Sequence, residues 1–162
     1  MKTTFAACAV AVLTLISSAA HADNFLGGSY ARVRQNGGPF DGSDNGYKFF
    51  VGSYNKTAGL EGGWVNFGHL GGSDGPHADA WTSALMLGLP ISALTVFGKA
   101  GLAVSRVGAT PITAEAKHYR FYWGGGVRLS GDKGLGLRAE YERFRLDSDH
   151  VDLLTAGLEY RF

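Results

Sequence analysis

The fold of the chain can be predicted from its last twelve residues, Val151-Asp-Leu-Leu-Thr-Ala-Gly-Leu-Glu-Tyr-Arg-Phe162. Taken in steps of two, one face of this segment is apolar and ends in two aromatic rings: Leu154, Ala156, Leu158, Tyr160 and Phe162. The other face carries Glu159 and Arg161. A period of two is that of a β-strand, and the segment is long enough to cross a bilayer at a tilt. Because lipid excludes both charges and an open sheet edge, the segment predicts one strand of a closed barrel.

Residues 1–22 are predicted to be a cleaved signal peptide, which leaves 23–162 as one barrel domain. Lys2 gives a positive start, and the apolar run at 5–16 is too short to span a bilayer as a helix. Ala20 and Ala22 form an A-x-A cleavage site. Cys8 lies inside the apolar run, whereas a lipid-modified cysteine would follow it, so a lipoprotein is disfavoured.

The mature segment has balanced charge and no cysteine. The whole chain has 15 Lys+Arg and 14 Asp+Glu, and removing Lys2 leaves 15 − 1 = 14 bases against 14 acids. No basic run is present, which argues against a nucleic-acid partner. With 25 glycines, 4 prolines and many aromatic residues, the composition favours short strands joined by glycine turns.

Eight segments with period two are bounded by turn residues. They are 25–34, 47–54, 58–67, 80–89, 94–106, 117–129, 135–146 and 151–162. Longer connections at 35–46, 69–79 and 108–116 alternate with short turns. Outer-membrane barrels have short periplasmic turns and longer extracellular loops, so both termini are predicted on the periplasmic side. The connection after the seventh segment is short for an outer loop.

Alternation assigns a face to most positions. The outward face carries an expected aromatic girdle, formed by Trp64, Trp81, Tyr119, Trp123 and Tyr141. On the second strand Lys48, Phe50 and Gly52 are predicted to face inward. The first strand is ambiguous, because Arg32 argues that its even positions face inward, but Leu26 and Tyr30 would then be inside too.

A soluble barrel of the lipocalin type is the alternative, with apolar residues inside and charges outside. Three features favour the membrane barrel instead. The charged face is rich in glycine, as a narrow lumen requires. Tyr and Trp lie near strand ends on the apolar face. The signal peptide directs the chain to the cell envelope.

Eight charged residues from five strands are predicted to face the lumen: Glu61, Lys99, Arg120, Arg128, Arg138, Glu140, Glu142 and Glu159. The set holds four acids and four bases, so all can pair, and charges enclosed in a narrow barrel must pair. We interpret them as a structural ion-pair network. The alternative is a gate whose re-pairing opens a narrow ion path.

Four histidines remain after cleavage: His69, His77, His118 and His150. His69 and His77 share a predicted loop with Ser73 and Asp79, and His150 follows Ser148 and Asp149. These residues raise two alternatives, a lipid-modifying hydrolase or acyltransferase and a metal site of His69, His77 and Asp79. The spacing matches neither a catalytic nor a ligand motif, and such residues are common in turns. No catalytic residue, metal or cofactor is predicted.

Two further features bear on possible ligands. Arg143 and Arg145 lie near the outer end of the seventh strand, where they either meet lipopolysaccharide phosphates or remain solvated. The run Gly124-Gly-Gly126 opens no helix and lacks a following Lys-Ser/Thr, so it indicates close packing in a barrel and no phosphate site.

The sequence resembles the small outer-membrane β-barrel proteins of Gram-negative bacteria, the OmpA-transmembrane-like family. The resemblance rests on the signal peptide, on Gly136-Leu-Arg-Ala-Glu-Tyr-Glu-Arg-Phe144 and on the ending Leu158-Glu-Tyr-Arg-Phe162. It implies that Leu158, Tyr160 and Phe162 form a signal for the barrel-assembly machinery. It also implies paired lumen charges, lipopolysaccharide contact, and in some members adhesion or small-solute passage.

We therefore expect a monomeric, eight-stranded, antiparallel transmembrane barrel of the outer membrane. Its expected role is structural or in surface interaction, without catalysis. Its expected partners are outer-membrane lipids, lipopolysaccharide, the assembly machinery and an unidentified extracellular ligand, if any. The alternatives are a narrow porin-like barrel and a lipid A-modifying enzyme.

Overall fold

The chain forms a closed barrel in which each strand pairs with the next and β8 pairs back with β1. The computed structural model describes residues 23–36, 42–55, 57–69, 77–107, 118–129, 133–145 and 150–162. The strands are β1 (Asp23–Asn36), β2 (Gly42–Asn55), β3 (Ala58–His69), β4 (His77–Ile91), β5 (Leu94–Val107), β6 (His118–Leu129), β7 (Gly134–Arg145) and β8 (His150–Arg161). All eight pairings are antiparallel. The predicted fold and strand order are confirmed.

Within the described ranges, the structure contains no helix with the length and hydropathy needed to cross a membrane. The predicted signal peptide, with Ala20 and Ala22, lies outside the described residues.

Several strands extend past their predicted ends on the side of the longer connections. Residues 42–46 and 77–79 were expected in loops, but they belong to β2 and β4. Their backbones continue the ladders, as the pairs Arg34↔Ser43 and His69↔His77 show. Because a neighbouring strand supplies their hydrogen-bond partners, sheet pairing overrides the turn preference of Gly, Asp and Asn.

The face of β1 is the reverse of what Arg32 suggested. Phe25, Ala31 and Val33 are buried, whereas Arg32 and Tyr30 are exposed on the outer surface. Arg32 lies near the outer end of its strand, where a long side chain can extend its guanidinium beyond the apolar belt. The apolar residues, and not the single charge, therefore decide the face.

The distribution of burial is that of a membrane barrel. Leu87 and Leu89 are 69% and 70% exposed on the outer surface, while Lys48 and Glu142 are 0% exposed inside. A soluble barrel would show the opposite arrangement, because lipid, and not water, solvates the apolar face. The lipocalin-like alternative is therefore excluded.

The lumen is filled in layers along the barrel axis. On β7 the lumen face carries Arg138, Glu140, Glu142 and Phe144 in order towards the outer end. The outer layer is an apolar cluster that includes Phe144, Tyr122, Val65 and Leu153. A second cluster on the predicted periplasmic side consists of Phe25, Phe50, Tyr54, Met86 and Phe97. Glu140 and Glu142 lie between the two clusters, whereas Arg128 and Arg138 lie among the rings of the second.

Glycine on the lumen face allows the walls to approach closely. A methyl group added at Gly124 would overlap the carbonyl oxygen of Tyr141 and lie 3.0 Å from Cα of Glu142. One added at Gly126 would lie 2.9 Å from the ring of Phe97. The cluster at 124–126 therefore serves barrel packing, as predicted.

Candidate functional site

The candidate site is a layer of six buried charges across the lumen, which we call the lumen layer: Lys48, Lys99, Arg138, Glu61, Glu140 and Glu142. Lys48 Nζ donates to Glu61 Oε1 at 3.0 Å, to Glu140 Oε2 at 2.8 Å and to Glu142 Oε1 at 3.1 Å. Four strands, β2, β3, β5 and β7, supply these residues, and alternation points each of them inward. The layer therefore ties opposite walls of the barrel together.

Lys99 makes the matching contacts from β5. Its Nζ lies 3.0 Å from Glu61 Oε1, 2.8 Å from Glu140 Oε1 and 2.7 Å from Glu142 Oε1. Each glutamate therefore faces both lysines. The three carboxylates offer oxygens within 4.8 Å of one another, a spacing that could bind a metal ion. The two ammonium groups already supply the positive charge there, so we assign no metal to the layer.

Arg138 joins the lumen layer to a second ion pair below it. Its Nε donates to Glu140 Oε1 at 2.9 Å, another of its nitrogens contacts Glu61, and Nη1 donates to Glu159 Oε2 at 3.0 Å. Arg128 Nε lies 2.8 Å from Glu159 Oε1. The connected set thus holds Lys48, Lys99, Arg128 and Arg138 against four glutamates, and its formal charge is zero.

Aromatic rings surround the two guanidinium groups. The guanidinium carbon of Arg138 lies 4.3 Å from the ring centre of Phe50 and 4.8 Å from that of Phe97. Arg128 lies 4.9 Å from the ring centre of Phe25 and 5.0 Å from that of Tyr54. These cation–π contacts add to the ion pairs in a desolvated setting. Charge pairing and aromatic packing together fill the periplasmic half of the lumen.

The structure brings together most of the predicted lumen set. Glu61, Lys99, Arg128, Arg138, Glu140, Glu142 and Glu159 lie in the connected network. Arg120 lies nearer the outer end of β6 and is only partly buried. Lys48 is the member that the predicted set omitted. Its predicted inward position on the second strand was the signal that could have included it. Alternation does not show, however, which inward charges lie at the same height in the barrel.

The predicted girdle residues all lie on the outer surface. Trp81, Tyr119 and Trp123 are exposed, and Trp64 and Tyr141 are partly buried by neighbours. Trp64 Nε1 donates to Asp79 Oδ2 at 3.1 Å. Tyr141 OH donates to Asp152 Oδ1 at 2.8 Å. An aromatic ring that also makes a polar contact suits the boundary between lipid and water. We therefore still interpret these five residues as an aromatic girdle.

The predicted assembly residues lie at the seam that closes the barrel. Leu158, Tyr160 and Phe162 project outward with about half of each side chain exposed, at 48%, 50% and 51%. The backbone of Phe162 exchanges two hydrogen bonds with Asn24 of β1, at 3.0 and 3.2 Å. The last residue therefore contributes to barrel closure through its backbone while its ring remains on the surface.

Arginines cluster on the outer surface where β7, β8 and β1 adjoin. Arg143 donates from Nε and Nη2 to the two oxygens of Asp152, at 2.6 and 3.0 Å. The register aligns Arg143 with Asp152 and Asp152 with Arg34. Arg32, Arg34 and Arg145 are exposed. One predicted basic pair thus becomes a patch of four arginines, which we call the rim patch: Arg32, Arg34, Arg143 and Arg145.

The predicted histidine loop is only partly assembled. His69 and His77 lie opposite each other on β3 and β4, but Asp79 bonds to Trp64 instead of to them. The side chain of His69 lies at ion-pair distance from Asp44, and that of His77 is hydrogen-bonded to Asn66. Ser73, Ser148 and Asp149 lie outside the described residues. The side chain of His118 is not described either.

Comparison with known proteins gives consistent fold matches. The family model described as "Outer membrane protein beta-barrel domain" matches residues 8–162. No curated protein matches the sequence. Neisserial surface protein A (NspA) superposes with a TM-score of 0.67 at 12% identity, covering 86% of this chain and 97% of NspA.

Two further solved structures agree with that result. The N-terminal barrel of OprF from Pseudomonas aeruginosa has a TM-score of 0.60 at 13% identity, covering 88% of this chain and 100% of that barrel. Ail of Yersinia pestis, in complex with the heparin analogue sucrose octasulfate, has a TM-score of 0.55 at 19% identity over 87% of this chain and 97% of Ail. At these identities the structural likeness shows the fold alone. The match of the family model to nearly the whole sequence establishes that this chain belongs to the outer membrane protein beta-barrel domain family.

Proposed function

We propose that this chain is a non-catalytic structural barrel of the outer membrane with a closed lumen and a lipopolysaccharide-binding outer surface. The observation that carries the closed lumen is the lumen layer, in which all six charged side chains have 0% relative exposure. Apolar clusters cover it on both sides. Solvated ions cannot pass such a layer without breaking several buried ion pairs, each of which is costly to break.

Planar-bilayer recording tests the closed lumen. We expect the wild-type barrel to show no stable conductance. Glu140→Ala removes a carboxylate that faces Lys48, Lys99 and Arg138, so it should admit water and permit brief openings. Arg145→Ala, which removes an exposed charge of the rim patch, is the control and should show no conductance. Stable wild-type channels that vanish or change in Lys99→Ala would replace the structural role with a pore.

The narrow pore is the second candidate because the glutamates share their cations. Glu61 and Glu142 each lie within ion-pair distance of both lysines, and Glu61 also faces Arg138. Such a set can exchange partners without leaving any charge unpaired. A pore would require a rearrangement within the lumen layer together with movement of the apolar clusters beside it. The recording described above decides between the two roles.

The histidine environments bear on the lipid A-modifying alternative. The recorded hydrogen-bond and ion-pair partners of His69, His77 and His150 are Asp44, Asn66 and Asp152. Within the described residues none of these partners is a serine, as a hydrolase triad of the predicted kind would need. Ser73 and Ser148, the serines of the predicted arrangement, lie outside the described residues, so the lipid A-modifying enzyme stays an alternative that lipid A mass profiles with and without expression would test.

The rim patch supports lipopolysaccharide as the outer partner. Its four arginines project from adjoining strands near the outer end of the barrel, and Asp152 is the acid that bonds to one of them. Guanidinium groups bind phosphate through two parallel hydrogen bonds. The phosphates of lipopolysaccharide lie at this height in an outer leaflet, next to the girdle, which gives the exposed arginines a lipid partner in place of water.

Binding of purified lipopolysaccharide to the refolded barrel tests this partner. Arg34→Ala and Arg145→Ala should each weaken binding several-fold, and the loss should shrink as salt is raised because phosphate contacts are screened. The matched control is Lys133→Ala, which removes an exposed positive charge at the opposite end of the barrel. Equal losses in all three variants would show a net-charge effect and would remove the rim patch as the binding surface.

A further inference from the structure

The two histidines at the outer end of β3 and β4 form an arrangement that the proposed function does not use. His69 and His77 are directly opposite in the ladder, and their ring centres are 5.8 Å apart at an interplanar angle of 85°. A register shift between Asn66 and His69 and a left-handed Gly68, with φ of 70°, bring His69 opposite His77. The backbone conformation at Gly68 is one that glycine adopts readily.

The spacing of the two rings suits a shared metal ion. A metal bound to imidazole lies about 3.2 Å from the ring centre, so two imidazoles at a tetrahedral angle have centres about 5.2 Å apart. The observed distance of 5.8 Å between the ring centres is about 0.6 Å longer than this value. Imidazole nitrogen is a preferred ligand of zinc, copper and nickel.

The surroundings leave a nitrogen lone pair on each ring. Asp44 Oδ2 lies 3.6 Å from His69 Nδ1 and accepts the His69 backbone N–H at 2.6 Å. A carboxylate in that position favours the proton on Nδ1 and leaves Nε2 free to bind a metal. This is how a carboxylate orients a metal-binding histidine.

The hydrogen bond with Asn66 indicates which nitrogen of His77 carries a lone pair. The Asn66 Oδ1 accepts the Gly68 N–H at 2.8 Å, so its Nδ2 is the atom that faces His77 Nε2 at 3.0 Å. Since the amide nitrogen can only donate, His77 Nε2 accepts and carries a lone pair. A metal ion would replace the Asn66 N–H at this nitrogen.

We propose that His69 and His77 bind a divalent transition metal of the zinc type at the outer rim, with Asp44 as the carboxylate that positions His69. Water fills the remaining coordination positions, because both rings are exposed. This site differs from the metal site considered from the sequence. Its carboxylate is Asp44, whereas the sequence suggested Asp79. It also departs from the expectation that no metal is bound, and it is independent of the lumen layer and the rim patch.

Calorimetric titration of zinc chloride into refolded residues 23–162 tests the site. We expect one zinc per barrel, and at least tenfold weaker binding in His69→Ala and His77→Gln. Glutamine keeps an acceptor for Asn66 and removes the imidazole. Asp44→Asn should weaken binding about tenfold, as for other groups that orient a ligand.

The matched control is His150→Ala. His150 also lies at the outer end of its strand beside a carboxylate, with Nε2 3.9 Å from Asp152 Oδ2, but it pairs in the ladder with Arg145 and Asn36 instead of a histidine. The His150→Ala variant should bind zinc with the same affinity as the wild type. Imidazole nitrogen NMR should show zinc-dependent shifts at His69 and His77, and heat-modifiable migration should show that every variant is folded. Absence of zinc binding in the wild type, or equal loss in His150→Ala, overturns the proposal.

Discussion

At the scale of single residues, the lumen layer acts as one unit, and Arg138 is its most connected member. Arg138 contacts Glu61, Glu140 and Glu159, and it lies over the ring of Phe50. Arg138→Ala leaves three buried carboxylates with too few cations. We expect a loss of about 3–5 kcal/mol in the free energy of unfolding, the usual cost of removing one partner of a buried pair. Urea unfolding in lipid vesicles, followed by tryptophan fluorescence, measures it.

The control for this prediction is Arg145→Ala on the same strand. Arg145 is exposed at the rim, so its removal should change the unfolding free energy by no more than about 0.5 kcal/mol. If the two variants differ by less than that, the lumen layer does not hold the barrel together and its residues are free to serve another role.

Residue-level prediction from the sequence worked where alternation alone was sufficient. Alternation assigned an inward face to all eight members of the network, but the predicted set of lumen charges omitted Lys48. The partners of a lumen charge depend on its height in the barrel, which follows from strand tilt and register, and neither is visible in one strand. The face that Arg32 suggested for the first strand was wrong for a related reason, because a charge near a strand end can face outward without entering lipid.

At the scale of strands, the close approach of β6 to β7 should be sensitive to a single methyl group. Gly124→Ala would place Cβ against the Tyr141 carbonyl and 3.0 Å from Cα of Glu142. We expect a loss of about 1–3 kcal/mol in stability, as for other overpacked sites. Thermal unfolding, followed by loss of the heat-modifiable folded band, measures the effect.

Gly98 offers the matched control on the neighbouring strand. The nearest atom to a Cβ at Gly98 is the Gly124 carbonyl oxygen, at 3.9 Å. Gly98→Ala should therefore be neutral or slightly stabilising, because alanine restricts the unfolded chain more than glycine does. Equal losses in the two variants would mean that glycine is needed for backbone freedom and not for close packing.

The number and type of strands could be predicted, but their outer ends could not. Residues 42–46 and 77–79 have turn-forming sequences, yet they continue as strands because their neighbours extend equally far. Turn preference is a local property, whereas pairing depends on the adjoining strand. At the periplasmic end the same holds for Pro90 and Ile91, which pair with Thr95 and Leu94.

For the whole molecule, the closed architecture follows from a physical necessity. A strand with one apolar face is stable in lipid only if no edge remains unpaired, so recognition of one such strand predicts the barrel. The function is less predictable, since many functions share this fold and they depend on particular sites. The histidine pair illustrates this, because a register shift at Gly68 created it and the sequence does not display that shift.

The final prediction concerns how the whole barrel reaches its membrane. Phe162 has two separable contributions, a surface ring stacked 6.3 Å from Tyr160 and backbone hydrogen bonds to Asn24 that close the seam. If the ring is read by the assembly machinery, Phe162→Ala should lower the fraction inserted in cells, while the purified variant still refolds in detergent because its backbone bonds remain. Deleting Phe162 should impair both.

Leu135→Ala provides the control for that experiment. Leu135 is also exposed to lipid at the periplasmic end, where it pairs with Tyr160, and its removal takes away apolar surface without touching the last residue. Membrane fractionation with heat-modifiable migration should show normal insertion for Leu135→Ala and reduced insertion for Phe162→Ala, with export unchanged. Equal insertion of both would restrict Phe162 to seam closure, because the lipid-facing ring would then carry no assembly information.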